Sequence, residues 1–155
     1  MAITYVNYVK VINQALSALL KAEFTVTPIR YYDKFEKNEL AKKSEYIRFY
    51  YNGDEHLDDL ALGNARSYKY TLSLYFQYHG LDEQDQFEAI VTDRKEHLYN
   101  LLMQNRAYEP SGVYKWHHII VEESSPVVWG IEEEHLEVAH IEMDITFTRT
   151  NTDNF

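Results

Sequence analysis

Residues Tyr68 to His79 alternate without a break: Tyr68, Tyr70, Leu72, Leu74, Phe76 and Tyr78 on one face, Lys69, Thr71, Ser73, Tyr75, Gln77 and His79 on the other. Alternation with a period of two is the mark of a strand with one apolar and one polar face. At about 3.4 Å per residue this one would reach roughly 40 Å, long for a strand, so it is expected to be central and to bend or project past the body of the protein. Gly80 ends it. A second long run, Leu136 to Arg149, sends Ala139, Ile141, Met143, Ile145 and Phe147 one way and His140, Glu142, Asp144, Thr146 and Thr148 the other. Two strands of this kind leave one apolar sheet face to be covered.

Two segments have the period to cover it. Tyr5, Val9, Ile12, Leu16 and Leu19/Leu20 recur at steps of four, three, four and three, which predicts a helix from about Thr4 to Ala22 with Thr4 as N-cap. Phe87, Ile90/Val91, Arg94, Leu98 and Leu101/Leu102 predict a second helix over Asp82 to Asn105, its first turn carrying Asp82, Glu83 and Asp85, where negative charge suits the helix dipole. Shorter strands are expected at Glu23 to Thr27, stopped by Pro28, at Ser44 to Tyr51 and at Val113 to Glu122, with Ile29 to Asp33 extended. In the strand at 44–51, Ile47, Phe49 and Tyr51 share one face and Tyr46, Arg48 and Tyr50 the other. In that at 113–122, Trp116, His118 and Ile120 share one face and His117, Ile119 and Val121 the other. Lys34 to Lys43 reads as a surface loop or a short helical turn, Ile131 to Glu134 as an acidic turn or loop, and residues 52–67 as a long excursion opened by Asn52-Gly53; a connection of that length is usually functional or mobile.

The order helix, strands, helix, strands lacks regular βαβ alternation. It predicts an α+β fold: two amphipathic helices packed on one face of a mostly antiparallel sheet with a long inter-strand loop. With 155 residues the chain suits one domain, expected over 1–149, with a flexible polar tail at 150–155.

Composition removes several functions. There are 0 Cys, hence no disulfide, thiolate metal site or cysteine nucleophile. Only 5 Gly are present, and no glycine-rich phosphate loop appears. No run of 18 apolar residues is present, and Asn7, Lys10, Asn13 and Gln14 argue against a signal peptide. The net charge of −10 opposes attraction to nucleic acid. That charge is uneven: the first fifty residues hold eight Lys/Arg and five Asp/Glu, the remainder seven and twenty, and Trp116 to Thr148 holds eight acids and no Lys or Arg. Such polarity either lets an acidic surface of one subunit meet a basic surface of the next or simply keeps the surface solvated.

Candidates for chemistry are thin. His117 and His118 are strand neighbours that point to opposite faces and cannot share one metal without a bulge. A His/carboxylate metal site is conceivable at His135 and His140 among their glutamates, but these two also point in opposite directions, and a solvated acidic face is the preferred reading. Asp58-Asp59 and Glu132-Glu133-Glu134 have polar surroundings that leave carboxylate pKa values untuned. Ser124-Ser125 has no nucleophile-elbow context. No catalytic, cofactor or metal residues are assigned, and an enzyme or ligand-binding protein using His118, Glu142 or nearby groups is the lesser alternative. Lys34, Lys37, Lys42 and Lys43 are interleaved with acids, which reads as a solvated loop or the basic side of a subunit contact. The outward set Tyr46, Arg48 and Tyr50 has the residue types of interface cores.

The whole pattern resembles the tail-terminator (tail-completion, minor tail protein U-like) family of tailed bacteriophages. The resemblance lies in an amphipathic N-terminal helix (YVNYVKVINQALSALL), a strand (EFTVT), a strand, loop and long strand (SEYIRFYY to YKYTLSLYFQY), a helix (QFEAIVTDRKEHLYNLLM) and a final strand (VAHIEMDITFTRT). It implies a non-enzymatic virion protein that forms a ring, a hexamer in that family, at the neck. Such a protein is assembled in the host bacterial cytoplasm, without a membrane or cofactor. Its partners would be copies of itself, the tail tube protein and the head-tail connector or stopper protein, with genomic DNA passing unbound. Interface roles are then expected for Tyr46, Arg48 and Tyr50, for the loop residues Asp54, Glu55, Leu57, Asp58, Asp59, Leu60 and Arg66, and for Glu132, Glu133 and Glu134. Another neck or tail-tube subunit is the nearest alternative. The chain is long for the group, with the extra length at 28–43 and 52–67.

Overall fold

The computed structural model describes residues 3, 5–24, 29–32, 45–57, 65–79, 84–124, 128–133 and 136–150. In chain order these form α1 (Tyr8–Glu23), β1 (Ile29–Tyr32), β2 (Glu45–Leu57), β3 (Ala65–His79), α2 (Gln84–Gln104), a short 3-10 turn (Pro110–Gly112), β4 (His118–Ser124), β5 (Val128–Glu133) and β6 (Leu136–Thr150). The sheet runs β1-β2-β3-β6-β4, with β5 also paired to β6. Only the β1–β2 pairing is parallel. The two long alternating runs, β3 and β6, are partners along their whole length, from Ala65 opposite Thr150 to His79 opposite Leu136. β4 and β5 lie in line beyond β6, β4 against residues 143–148 and β5 against residues 136–140. The protein is an α+β fold.

Both helices cover one face. Ile12, Leu16, Leu20, Val91, Leu98 and Leu102 meet Ile47, Phe49, Leu72, Leu74, Ile141, Ile145 and Phe147 in a single buried cluster. This follows from pairing a 3.6-residue stripe with a two-residue alternation, each apolar on one side only. The helices are also tied to each other and to the sheet by polar contacts. His97 Nε2 lies 2.6 Å from Glu23 Oε1, and the His97 ring meets Phe24 edge-on. The Tyr70 hydroxyl lies 2.5 Å from Asn13 Oδ1 and 3.3 Å from the Val9 carbonyl. Burial pushes that hydroxyl's pKa upward, so it stays protonated and able to donate.

The structure moves several boundaries. The first helix starts at Tyr8, not Thr4, because Asn7 is the cap: its Oδ1 accepts from Lys10 N at 3.1 Å, while Tyr5 stays 80% exposed. Glu23 and Phe24 finish that helix and do not begin a strand; residues 25–27 lie outside the described residues, as do 34–43. The excursion expected over 52–67 is mostly strand, since β2 continues to Leu57 and β3 begins at Ala65, leaving 58–64 as the connection outside the described residues. What looked like a turn at Asn52-Gly53 is a bulge. Tyr51 pairs with Tyr70 and Gly53 with Lys69, so Asn52 is the extra residue, and Gly53 takes φ +136°, where a side chain would be strained.

Strand β4 starts at His118. Before it, the chain folds back on itself: Tyr108 and Trp116 form an isolated bridge with stacked rings, and Trp116 Nε1 donates to the Asn105 carbonyl at 2.8 Å. The alternation therefore changes phase at His117. Ile119 and Val121 face the core from β4 while His118 and Ile120 face away, as grouped, but Trp116 is buried and so departs from the face expected to hold it with His118 and Ile120. Glu132 and Glu133 lie on β5 rather than in an acidic turn, and Glu134 lies outside the described residues. Thr150 belongs to β6, its N–H donating to His117 Nδ1 at 3.2 Å, so the tail shortens to 151–155, which is outside the described residues.

Candidate functional site

The sheet face opposite the helices is built by cross-strand rows. One row reads Tyr46, Tyr75, His140, Val128; the next Arg48, Ser73, Glu142; the next Tyr50, Thr71, Asp144, Glu123. The middle strand contributes small side chains, and Ser67, Thr71 and Ser73 are buried by longer neighbours on flanking strands. Arg48 spans this surface. Its guanidinium carbon lies 5.6 Å from the Tyr50 ring centre and 5.7 Å from that of Tyr75, and Nη2 donates to the Tyr75 hydroxyl at 3.4 Å. Tyr75 in turn stacks flat on His140, with centroids 4.2 Å apart and 11° between planes. His140 Nε2 lies 3.5 Å from Glu142 Oε1. Burial lowers the His140 pKa; Glu142 pulls it back up and Arg48 pushes it further down, so the ring is neutral near pH 7. One row on, Asn52 Nδ2 donates to Thr71 Oγ1 at 2.6 Å, and Thr71 Oγ1 donates to Asp144 Oδ1 at 3.0 Å, a hydrogen-bonded line from β2 to β6.

The bulge at Asn52 gives β2 a second set of neighbours. Past it, Asp54 lies opposite Tyr68, on the helix side of the sheet. Asp54 accepts from the Tyr51 hydroxyl through Oδ1 and from Arg66 through Oδ2. The bond to Asp54 pushes the Tyr51 pKa up to about 12, because ionising the phenol would place a negative charge beside the carboxylate. Arg66 also lies over Tyr68, 5.7 Å from its ring centre. Directly opposite Arg66 is Arg149, which is 2% exposed. Its Nη1 donates to the Lys115 carbonyl at 2.7 Å and the Tyr114 carbonyl at 3.1 Å, and its guanidinium carbon sits 4.0 Å from the Tyr8 ring centre. Glu55 turns to the other face and meets Lys69 at 3.7 Å.

Of the residues singled out by sequence, Arg48 and Tyr50 stand together on the open face. Tyr46 is placed there by register, opposite Tyr75. Asp54 and Arg66 form a pair, but on the helix side, away from Arg48. Leu57 ends β2 opposite Ala65; Asp58, Asp59 and Leu60 lie outside the described residues. Glu132 and Glu133 sit in the β5 column, across β3 and β6 from β2, and do not join Arg48 and Tyr50. Sequence reasoning missed Tyr75, His140, Thr71 and Arg149. Alternation already set Tyr75 and His140 on outward faces; the missing information was the register that stacks them.

His118 and Glu142 form no dyad. His118 lies opposite Thr148, six residues from Glu142 along β6 and thus about 20 Å away. The His140–Glu142 pair has suitable residue types for acid–base work, but His140 Nε2 is buried away from solvent. No group of three or more His, Asp or Glu among the described residues is arranged to hold a metal, and among these residues no helix is long and apolar enough to cross a membrane. The chain matches no protein-family model, and a search of curated proteins also finds no match.

Proposed function

We propose that this chain is a structural subunit of a tailed bacteriophage neck, one that forms a ring, ends the tail tube and joins it to the head connector. The observation that carries this reading is the division of the sheet. One face is filled by the chain's own helices, while the other presents an aromatic and cationic surface around Arg48, Tyr50 and Tyr75. Charge is divided as well. Strands β4 to β6 carry Glu122, Glu123, Glu132, Glu133, Glu137, Glu142 and Asp144 against Arg149, whereas β1 to β3 carry Arg30, Arg48, Arg66 and Lys69 against Glu45, Asp54 and Glu55. Unlike flanks favour heterologous contacts, which close into rings.

The work of such a subunit is assembly. A closed ring covers the growing end of the tube, stops its polymerisation and offers the connector a flat partner. A net charge of −10 lets DNA pass the lumen without adhering, because phosphate binding needs cations. Native mass spectrometry and negative-stain imaging of the purified chain, alone and with tube protein, test this. Closed annuli of one size are expected. Stacked cylinders would favour a tube subunit instead, and compact single particles at high concentration, with or without tube protein, would sink the ring.

A further inference from the structure

Each lateral edge of the sheet has a stretch that pairs with no further strand among the described residues. β1 pairs with β2 only from Glu45 to Arg48, so among the described residues the outer side of Phe49 to Leu57 pairs with no strand. On the far side, β4 pairs with β6 and with no other described strand. The two free stretches lie level with each other. Rows run straight across from Tyr51 through Tyr70 and Ile145 to Val121, and from Glu55 through Ser67 and Thr148 to His118. At this end the sheet is four strands wide, and among the described residues neither margin pairs with a further strand.

We propose that copies of this chain join edge to edge, β4 of one copy pairing with the distal half of β2 of the next, so that one sheet continues through the contact. This rests on the ring reading and specifies its interface.

Three observations support it. The first is direction. β2 and β6 run one way and β3 and β4 the other. Rotating a copy about an axis along the strands preserves direction, so β4 meets the next β2 antiparallel, the more stable pairing. The second is guarding. Free edges are normally blunted by Lys, Pro or charge, yet β4 begins His118-Ile119-Ile120-Val121, and its bulge and acids start only after Val121. The third is side-chain match. Three of the exposed large apolar residues lie on these edges: Ile120 at 45%, Tyr50 at 41% and Tyr51 at 37%. Level docking sets Val121 opposite Tyr51 of the next copy on the helix side. On the open face it sets Ile120 diagonal to Tyr50 and His118 opposite Glu55. These are aromatic–β-branched pairs and a histidine–carboxylate pair, the kinds that stabilise adjacent strands. A two-fold contact of β4 with β4 would set His118 against histidine or isoleucine and leave Tyr50 and Tyr51 uncovered.

The chain has 0 Cys, so engineered cysteines report cleanly. All four sites used are exposed and clear of the core. Two pairs probe either side of the bulge: His118→Cys mixed with Glu55→Cys, and Ile120→Cys mixed with Tyr50→Cys. Under mild oxidation at least one mixture is expected to give a disulfide between unlike variants, and the matching double variant a covalent ladder, while single variants stay unlinked. Ile120→Lys is expected to weaken association about tenfold or more with the circular dichroism of the monomer unchanged. Rings by negative stain without any unlike disulfide would overturn the edge contact and leave the ring reading standing. Linking within His118→Cys or Ile120→Cys alone would replace it with a two-fold dimer. Neither rings nor links would remove both.

Discussion

Leu74 and Ser73 are neighbours on β3 and both are fully buried, but they are buried by different means. Leu74 lies under α1 and α2, among Ile47, Ile141 and Leu20, where apolar area removed from water is the whole of the interaction. Ser73 lies on the other face, beneath long side chains from adjacent strands whose order depends on stacking and directed bonds: Arg48 over Tyr75, Tyr75 on His140, Thr71 to Asp144. The apolar core on the helix side has nothing to titrate and is tolerant of small angular errors. The open side is thin, directional and titratable. A surface of the second kind can be rebuilt around an incoming chain, whereas one of the first kind is already complete.

The contrast can be broken most severely from the helix side. Leu98→Ala removes a fully buried side chain from α2, and should cost about 2–5 kcal/mol in urea unfolding. On the open face Thr71→Val should cost only about 1 kcal/mol. A double-mutant cycle with Asp144→Ala should show coupling; additivity would mean that the line from Asn52 to Asp144 contributes nothing.

The pH response separates the faces further. The native pKa of His140 is lower than its ordinary 6.5, so the unfolded chain binds its proton more readily. Its contribution to stability is present above 6.5 and is lost as pH falls towards the native value. His140→Asn should flatten that slope, whereas Leu98→Ala should lower the whole curve without bending it. The smallest effect concerns Tyr51. Its absorbance should titrate near 12, and Asp54→Asn should return it towards 10. Because the native phenol holds its proton more tightly, this contribution is present below 10 and lost as pH rises through about 12.

Periodicity made the helices and the two long strands readable, because Ile12, Leu16 and Leu20 or Ile141, Met143 and Ile145 repeat without a break. It failed where the backbone changes phase. The bulge at Asn52 shifts β2 by one residue, so Asp54 and His56 occupy the positions where the alternation would place apolar groups, and strand looked like loop. The fold-back before His117 did the reverse at Trp116, where a turn looked like strand. Arg48 and Tyr50 were found because residue type and alternation agreed. Their partners Tyr75 and His140 were not, because stacking depends on register between segments more than sixty residues apart. Arg149 was hidden for a different reason: only Tyr8 and the carbonyls of Tyr114 and Lys115, from two other parts of the chain, make burial of a cation tolerable.

The placement of β6 bears on how the protein is made. It follows every other described element and is the one that β3, β4 and β5 all pair with. During synthesis β3, β4 and β5 must wait for residues 136–150 before the sheet can close, so folding is delayed until that segment has been made, with its slowest contacts the most distant ones. A ribosome that stalls before residue 136 therefore yields not a shorter version of this protein but an apolar surface without its keystone, a substrate for chaperones and proteases.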